Sequence, residues 1–472
     1  MRFTLASFLA AMLAASSAYA GDAGNSDLPA LRHPLSKVES LNLAIAHNGA
    51  ILQSRKDVEA STGVAIQVRA ILFPHLNHTA AYSVRQDSLI ESNVDREIPS
   101  RDVTLPGIGK IDVGGGTTPK INNQDWNADV QIVQSIYEGG RMLSAMRSSR
   151  LIREQAFLNF QTVVADALLS VSTAYDDVLR TAKQVEVQNQ AVKFLSEYRD
   201  QTKIKYDAGA VPEFDLIRTE VEVANSVALQ TQAVGDHRVA KQNFAELLGY
   251  NLPVSIGDNL PLNLSSPLEA RSYRGELTDA LAVALRNRTE ISALEKQERL
   301  GDEAIIVAKA GAKPSVQAFA GYQVTSRLET RTAGEELHGG IIGAQLSWPI
   351  FDGFLTKGRI IEAEAQRGKT TEAKAETTRI VELQVRTAWS DLRTARSILD
   401  AQGKNVQKAV RALELAQARY DEGSGAEIDV LGAQTALTDA RGSFVNALRN
   451  YSVARSRLIR ATGEDLQKPG SR

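Results

Sequence analysis

The residues with the most pointed chemistry sit in a turn that is written twice. KYDAGAVPEFDLI (205–217) and RYDEGSGAEIDVL (419–431) each run from a basic residue through Tyr-Asp and a glycine-broken turn to an acid, an apolar residue and an Asp. The second copy lies 214 positions after the first, Tyr206 and Asp207 matching Tyr420 and Asp421. Asp215 and Asp429 open the segment after each turn. An acid repeated around a symmetry axis makes a cation-attracting ring, as charged rings do in channels. The same acid alone is accounted for by the helix dipole, which favours negative charge in a first turn. From the residues both readings stand. Tyr420 is equally a seam residue, because Val406, Val410, Leu413, Gln417 and Tyr420 step by 4, 3, 4, 3 in the coiled-coil manner.

Other chemistry is thin. His75 and His78 are three apart, which in a strand puts them on opposite faces and argues against a metal site. GIGKID (107–112) lacks the glycine spacing and the following helix of a phosphate loop. GGG (114–116) reads as an extracellular loop, and acid-rich helix faces such as ELQVRTAWSDLRTAR read as solvated or partner-contacting surface. No Ser/His/Asp order, catalytic carboxylate pair, metal set or cofactor motif stands out, so no enzyme is expected. A net charge of −2 and a pI near 6.4 make no case for nucleic acid.

The N-terminus reads as a cleaved signal peptide over 1–20: Arg2, an apolar FTLASFLAAMLAA, and a small-x-small site at AYA, so that the mature chain starts at Gly21. With no Cys in the chain, neither a disulfide nor a thiol-linked lipid is expected. Beyond the signal no apolar run reaches the ~18 residues of a membrane helix. A membrane-spanning role would have to use strands.

The duplication extends well past the turns. Tyr137-Glu138-Gly139 matches Phe351-Asp352-Gly353, Tyr175 matches Trp389, and Gly249 matches Gly463 at the same offset of 214. Upstream, Leu41, Ile45, Ile51, Pro74 and Tyr82 match Leu281, Leu285, Ile291, Pro314 and Tyr322 at 240. The difference, 240 − 214 = 26, is a longer, turn-rich loop in the first copy, between residues 83 and 126. Two repeats follow, 21–249 and 278–463, with a Pro- and Gly-punctuated joiner at 250–277 and a tail at 464–472. In WNADVQI, Trp126, Ala128, Val130 and Ile132 alternate with Asn127, Asp129 and Gln131, which is the pattern of a two-faced strand. Strands are expected at about 71–85, 124–137, 314–328 and 339–351. Helices of 67 residues are expected at 141–207 and 355–421, each ~100 Å long if straight. Helices of that length persist only by packing on others. The shorter arms, 38–73 and 213–248, are expected to stack end to end beside the long helix.

Four strands cannot close a barrel, and an open edge cannot sit in lipid. The reading is therefore an exported oligomer: a transmembrane β-barrel shared between protomers, its polar strand face lining water, continued by an internally duplicated long-helix coiled-coil barrel. On these marks, SIYEGGR and PIFDGFLTKGR at the strand-to-helix junctions and the doubled turn, the sequence resembles the TolC family of outer-membrane channel proteins over about 38–465. The resemblance implies a mainly α fold with a β-hairpin pair and a homotrimer with a twelve-stranded barrel. It also implies a passive exit duct in the outer membrane of a Gram-negative bacterium, for drug efflux or type I secretion. The implied partners are an inner-membrane pump, ABC or proton-driven, a periplasmic adaptor protein and outer-membrane lipid.

For the turns the resemblance implies a periplasmic gate. Tyr420 would bond Asp215 to hold the closed state, Asp429 would line an acidic constriction, and Gly209, Val211, Pro212, Gly423 and Gly425 would meet the adaptor. An Arg that ties neighbouring protomers in the family falls here at Gly425, and a second constriction Asp falls at Gly432, which points to a more lightly latched gate. The competing class is an exported coiled-coil structural or surface fibre without a pore.

Overall fold

A computed structural model describes residues 33–86, 100–107, 109–114, 124–250, 260–270, 272–273, 275–326 and 336–466. The signal segment 1–20, Gly115 and Gly116, and the tail beyond 466 lie outside the described residues. The chain divides into two compact units. One holds residues up to Asp57, Leu158–Ile291 and the chain from Glu376; the other holds Val58–Phe157 and Ser292–Ala375.

The elements, in chain order, are α1 (Lys37–His47), α2 (Gly49–Arg69), β1 (His75–Val84), β2 (Arg101–Leu105), β3 (Gly109–Val113), β4 (Gln124–Glu138), α3 (Arg141–Asp207) and α4 (Glu213–Leu247). There follow α5 (Leu277–Asn287), α6 (Thr289–Ala310), β5 (Ser315–Ser326), β6 (Glu336–Ser347), α7 (Leu355–Asp421) and α8 (Glu427–Thr462). Helices α3 and α7 are both 67 residues long.

In the second unit, β1, β4, β5 and β6 form one antiparallel sheet in the order β1-β4-β5-β6. Its register brings like faces together. Tyr82 pairs with Trp126, Leu76 with Ile132, Val130 with Tyr322, and Ala320 with Ile342. Because side chains alternate along a strand, this places Leu76, Tyr82, Val130, Ile132, Tyr322, Ile342 and Leu346 on one face. All seven are exposed, Ile342 by 87%. Asn77, Thr79, Asn127, Asp129, Gln131, Gln323 and Gln345 stand on the other. Gly321 is required where it is: a Cβ there would lie 2.7 Å from the Val130 carbonyl oxygen. Of the histidines, His78 hydrogen-bonds the Asp129 carbonyl oxygen through Nδ1 at 2.9 Å, and His75 lies on the opposite face.

The first copy's extra loop contains structure that the turn-rich sequence concealed. β2 and β3 form a separate hairpin, Val103 paired with Ile111, turning through Gly107 and Gly109 at φ 93° and 92°. Gly107 and Gly109–Asp112 of this stretch are therefore in the turn and second strand of a hairpin, and the next described element is β4. Polar residues such as Arg101, Asp102, Thr104 and Lys110 within such short strands hide the alternation.

Among its described residues the first unit holds three buried clusters, two of which occupy matching places in the repeats. In one, Tyr175 and Phe244 meet edge to face at 5.8 Å among Leu41, Val171, Val178 and Leu248. In the other, Trp389 meets Tyr273 at 5.9 Å among Val381, Val385, Tyr451 and Leu458. The arms before each hairpin are broken, α1 from α2 and α5 from α6, and each break receives the end of the continuous arm, α4 or α8. At Asn48 the side chain caps α2, accepting from the Ala50 and Ile51 amides, and its Nδ2 donates to the Leu247 carbonyl at 2.7 Å. The backbones close in so far that a Cβ on Gly249 would lie 2.1 Å from the His47 carbonyl oxygen. At the matching break, Arg288 donates to the Arg460 carbonyl and to Gln384. Arg460, itself buried, pairs with Asp166 and Glu290, both at 2.7 Å.

Phe244 is fully buried. Replacing it with Ala is expected to lower stability by about 3–5 kcal/mol, measured as a shift in the denaturant midpoint of the purified protein. A change below about 1 kcal/mol would show that this core does not carry the joint.

Candidate functional site: the paired tip turns

The two turns have one backbone design. After α3, Gly209 sits at φ 74°, its amide bonding the Tyr206 carbonyl and that of Ala210 the Lys205 carbonyl. After α7, Gly423 sits at φ 73°, its amide bonding Tyr420 and that of Ser424 bonding Arg419. These 5→2 and 6→1 bonds satisfy the last carbonyls of each long helix, and only glycine takes the left-handed position without strain. Pro212 and Ala426 then start α4 and α8 in extended conformation, with no side-chain cap. The acids Glu213, Asp215, Glu427 and Asp429 occupy the first turns. Gly425 is tightly held, since a Cβ would lie 3.0 Å from that of Arg419; at Gly432 a Cβ would meet open space.

The expected site residues part company within the chain. Tyr420 is half-buried. Its ring lies 6.0 Å from that of Tyr198 and under the Lys205 ammonium, 4.4 Å from the ring centre. It also packs on the buried cluster of Leu195, Leu413 and Val430, so its seam role is visible. Asp215 is half-buried at the start of α4 and works on Glu427. Asp429 is exposed, as are Gly209, Pro212 and Gly423, while Val211 and Gly425 are half-buried.

Glu427 is the residue that sequence reasoning passed over. It is 7% exposed. Its Oε1 receives a long bond from Thr202 at 3.5 Å, and its Oε2 is buried with no hydrogen-bond partner among the described residues. Burial pushes its carboxyl up to about 7, the Asp215 carboxylate adds to this, and Arg218 opposes it. Burial likewise raises the Tyr198 phenol, with Tyr420 and Glu427 contributing. The only sequence signal was the match of Glu427 to Glu213, which is itself exposed.

A duplicated helical chain with an open, two-faced sheet and paired tip turns defines a channel-tunnel protomer. Residues 40–250 and 280–464 match the family model described as outer membrane efflux protein, and the chain belongs to that family. It is 23% identical over 359 residues to the outer membrane protein TolC of Escherichia coli (strain K12), covering 73% of this chain and 70% of that protein. Among solved structures, CusC aligns with a TM-score of 0.72 at 15% identity, over 91% of this chain and 92% of that one. VceC from Vibrio cholerae aligns at 0.70 and 17%, over 91% and 96%. The protein is thus a TolC-like outer-membrane protein of a Gram-negative bacterium, in a family of efflux and secretion ducts rather than enzymes. The poreless fibre reading falls with this. Among the described residues no helix is long and apolar enough to cross a membrane, a criterion that does not bear on strands.

The two sheet faces then have different solvents. Ile342→Arg, mid-strand on the apolar face, is expected to cost about 2–4 kcal/mol. Gln323→Arg on the polar face is expected to cost little. Unfolding from phospholipid vesicles in urea measures both, and equal costs would refute the assignment of faces.

Proposed function

We propose that the protein is the passive exit duct of a tripartite efflux or type I secretion system. It works as a homotrimer and opens when an inner-membrane pump, ABC or proton-driven, and a periplasmic adaptor dock. The observation that carries this reading is the sheet: four strands, one apolar and one polar face, and β1 and β6 as its two edges. Three copies joined edge to edge make a twelve-stranded barrel with no free edge. The tip supports the same reading, since Phe214, Ile217 and Val221 on α4 are exposed by 50% or more in the single chain, an apolar stripe suited to a neighbouring copy. CusC, which shares the fold, undergoes conformational changes that accompany folding and transmembrane channel formation, in line with a duct.

In this reading 1–20 is the export signal, 21–249 and 278–463 are the two repeats, and 250–277 joins them. The tip turns form the periplasmic gate and adaptor contact, through Gly209, Val211, Pro212, Gly423 and Gly425. Asp215 and Tyr420 restrain the closed state, and Asp429, exposed in the first turn of α8, rings the constriction. With glycine at 425 and 432, the restraint and the ring rest on fewer charges.

Purified protein is expected to run as a trimer and to conduct in a planar bilayer; a folded oligomer without conductance would overturn the duct. Asp215→Ala and Tyr420→Phe are each expected to raise resting conductance several-fold, and unchanged conductance in both would remove the restraint from these residues. Asp429→Asn is expected to weaken cation preference, read as a shift of reversal potential in a salt gradient. An unmoved potential would take Asp429 out of the constriction.

A further inference from the structure

We propose that Glu427 is the residue through which the two tips hold each other. Its carboxyl shares one proton with Asp215, tying α8 to α4 while the proton is present and releasing them when it leaves. This rests on the reading of the tips as the gate.

The geometry demands a donor that the described residues do not supply. Glu427 Oε2 is shut away from solvent without a hydrogen-bond partner, and Oε1 has only the 3.5 Å contact from Thr202. The helix that carries Asp215 packs on this seam, Val223 of α4 lying against the cluster that holds Val430 and Leu431 of α8, and the Asp215 carboxyl bears on Glu427 by hydrogen bonding and by charge. Two carboxylates cannot satisfy one another, because both only accept. With one proton, a Glu427 O–H donates to an Asp215 oxygen and the pair is satisfied. Without it, a buried anion faces a second anion, and both burial and repulsion favour separation.

The surrounding groups leave the pair in need of that proton. From α4, Arg218 is the cation that acts on Glu427, and it is shared with the Phe214 ring, 4.6 Å from its centre. From α3 come Thr202 and the Tyr198 phenol, which burial keeps protonated. From α7, Tyr420 and Asp421 act on Tyr198, and Lys205 of α3 is engaged over Tyr420. Asp429, on α8 itself, is exposed.

The sign follows. The Glu427 carboxyl lies at about 7 in the folded tip, above its ordinary 4.5, so the folded tip holds the proton more tightly than a loosened one. The tie is complete below pH 4.5 and is lost as pH rises through about 7. The deprotonated pair gives its proton to bulk water.

The test is single-trimer leak in a planar bilayer, with pH varied from about 5.5 to about 8 on the tip side, a window that brackets the folded-tip titration. Wild type is expected to leak several-fold more at the alkaline end than at the acid end. Glu427→Gln, which supplies a permanent donor of the same shape, is expected to stay tight at both. Asp215→Asn removes the like charge and is expected to move the midpoint down by about one unit; this variant decides the matter if Glu427→Gln does not assemble. A pH-independent wild type, a Glu427→Gln variant with the wild-type profile, or an unmoved midpoint in Asp215→Asn would each overturn the proposal. In those cases the gate reading still stands if Asp215→Ala or Tyr420→Phe raises resting leak. If these are silent too, the gate reading itself has failed.

Discussion

An unpaired strand edge cannot face lipid, and the rest of the molecule follows from that. The sheet ends in β1 on one side and β6 on the other, each offering a row of N–H and C=O groups. In hydrocarbon each unsatisfied group costs several kcal/mol. Longer strands do not help, because four cannot curl shut. Joining edge to edge with other copies does, and it gives the apolar face lipid and the polar face water. In a single chain Phe214, Ile217 and Val221 of α4 are uncovered, and the proposed trimer would give that stripe a neighbour.

Long helices bring a second requirement, since helix propensity alone does not hold 67 residues straight. The chain meets it at two equivalent joints, where a break in one arm receives the end of the continuous arm beside it. The chemistry at the joints differs while the task is the same. Asn48 and Arg288 both terminate one helix and both donate to a late carbonyl of the arriving one, Leu247 or Arg460. The Arg288 joint brings two buried cations, Arg288 held by Gln384 and Glu290 and Arg460 held by Asp166 and Glu290. Removing a single partner there would strand a charge, a larger loss than the pair itself is worth.

Features with a period were readable from the residues. Trp126 to Ile132 alternates, and the register sets its apolar members against Tyr82, Leu76 and Tyr322, on the face that Ile342 shares through Ala320. The glycine turns were readable because Gly209 and Gly423 both need a positive φ, 74° and 73°. The β2–β3 hairpin was not, because its strands of five residues are half polar and lie in a turn-rich stretch. Burial at the tip was not readable either. Glu213 and Glu427 are the same residue at the same place in the repeat, and only the fold makes one exposed and the other enclosed.

That last difference has a cause in the arrangement of two hairpins in one chain. A pair of like hairpins has one inner seam and two outer flanks, so equivalent residues cannot have equivalent surroundings. The first turn of α8 lies on the inner seam, against Thr202 of α3 and Asp215 of α4. The first turn of α4 presents Glu213 and Phe214 outward. Duplication copied the acid, and packing changed its chemistry. Glu213 stands exposed, whereas Glu427 is enclosed, its Oε2 buried without a hydrogen-bond partner among the described residues. The contact most sensitive to how the hairpins sit is the one inside the chain, where α8 meets α3 and α4.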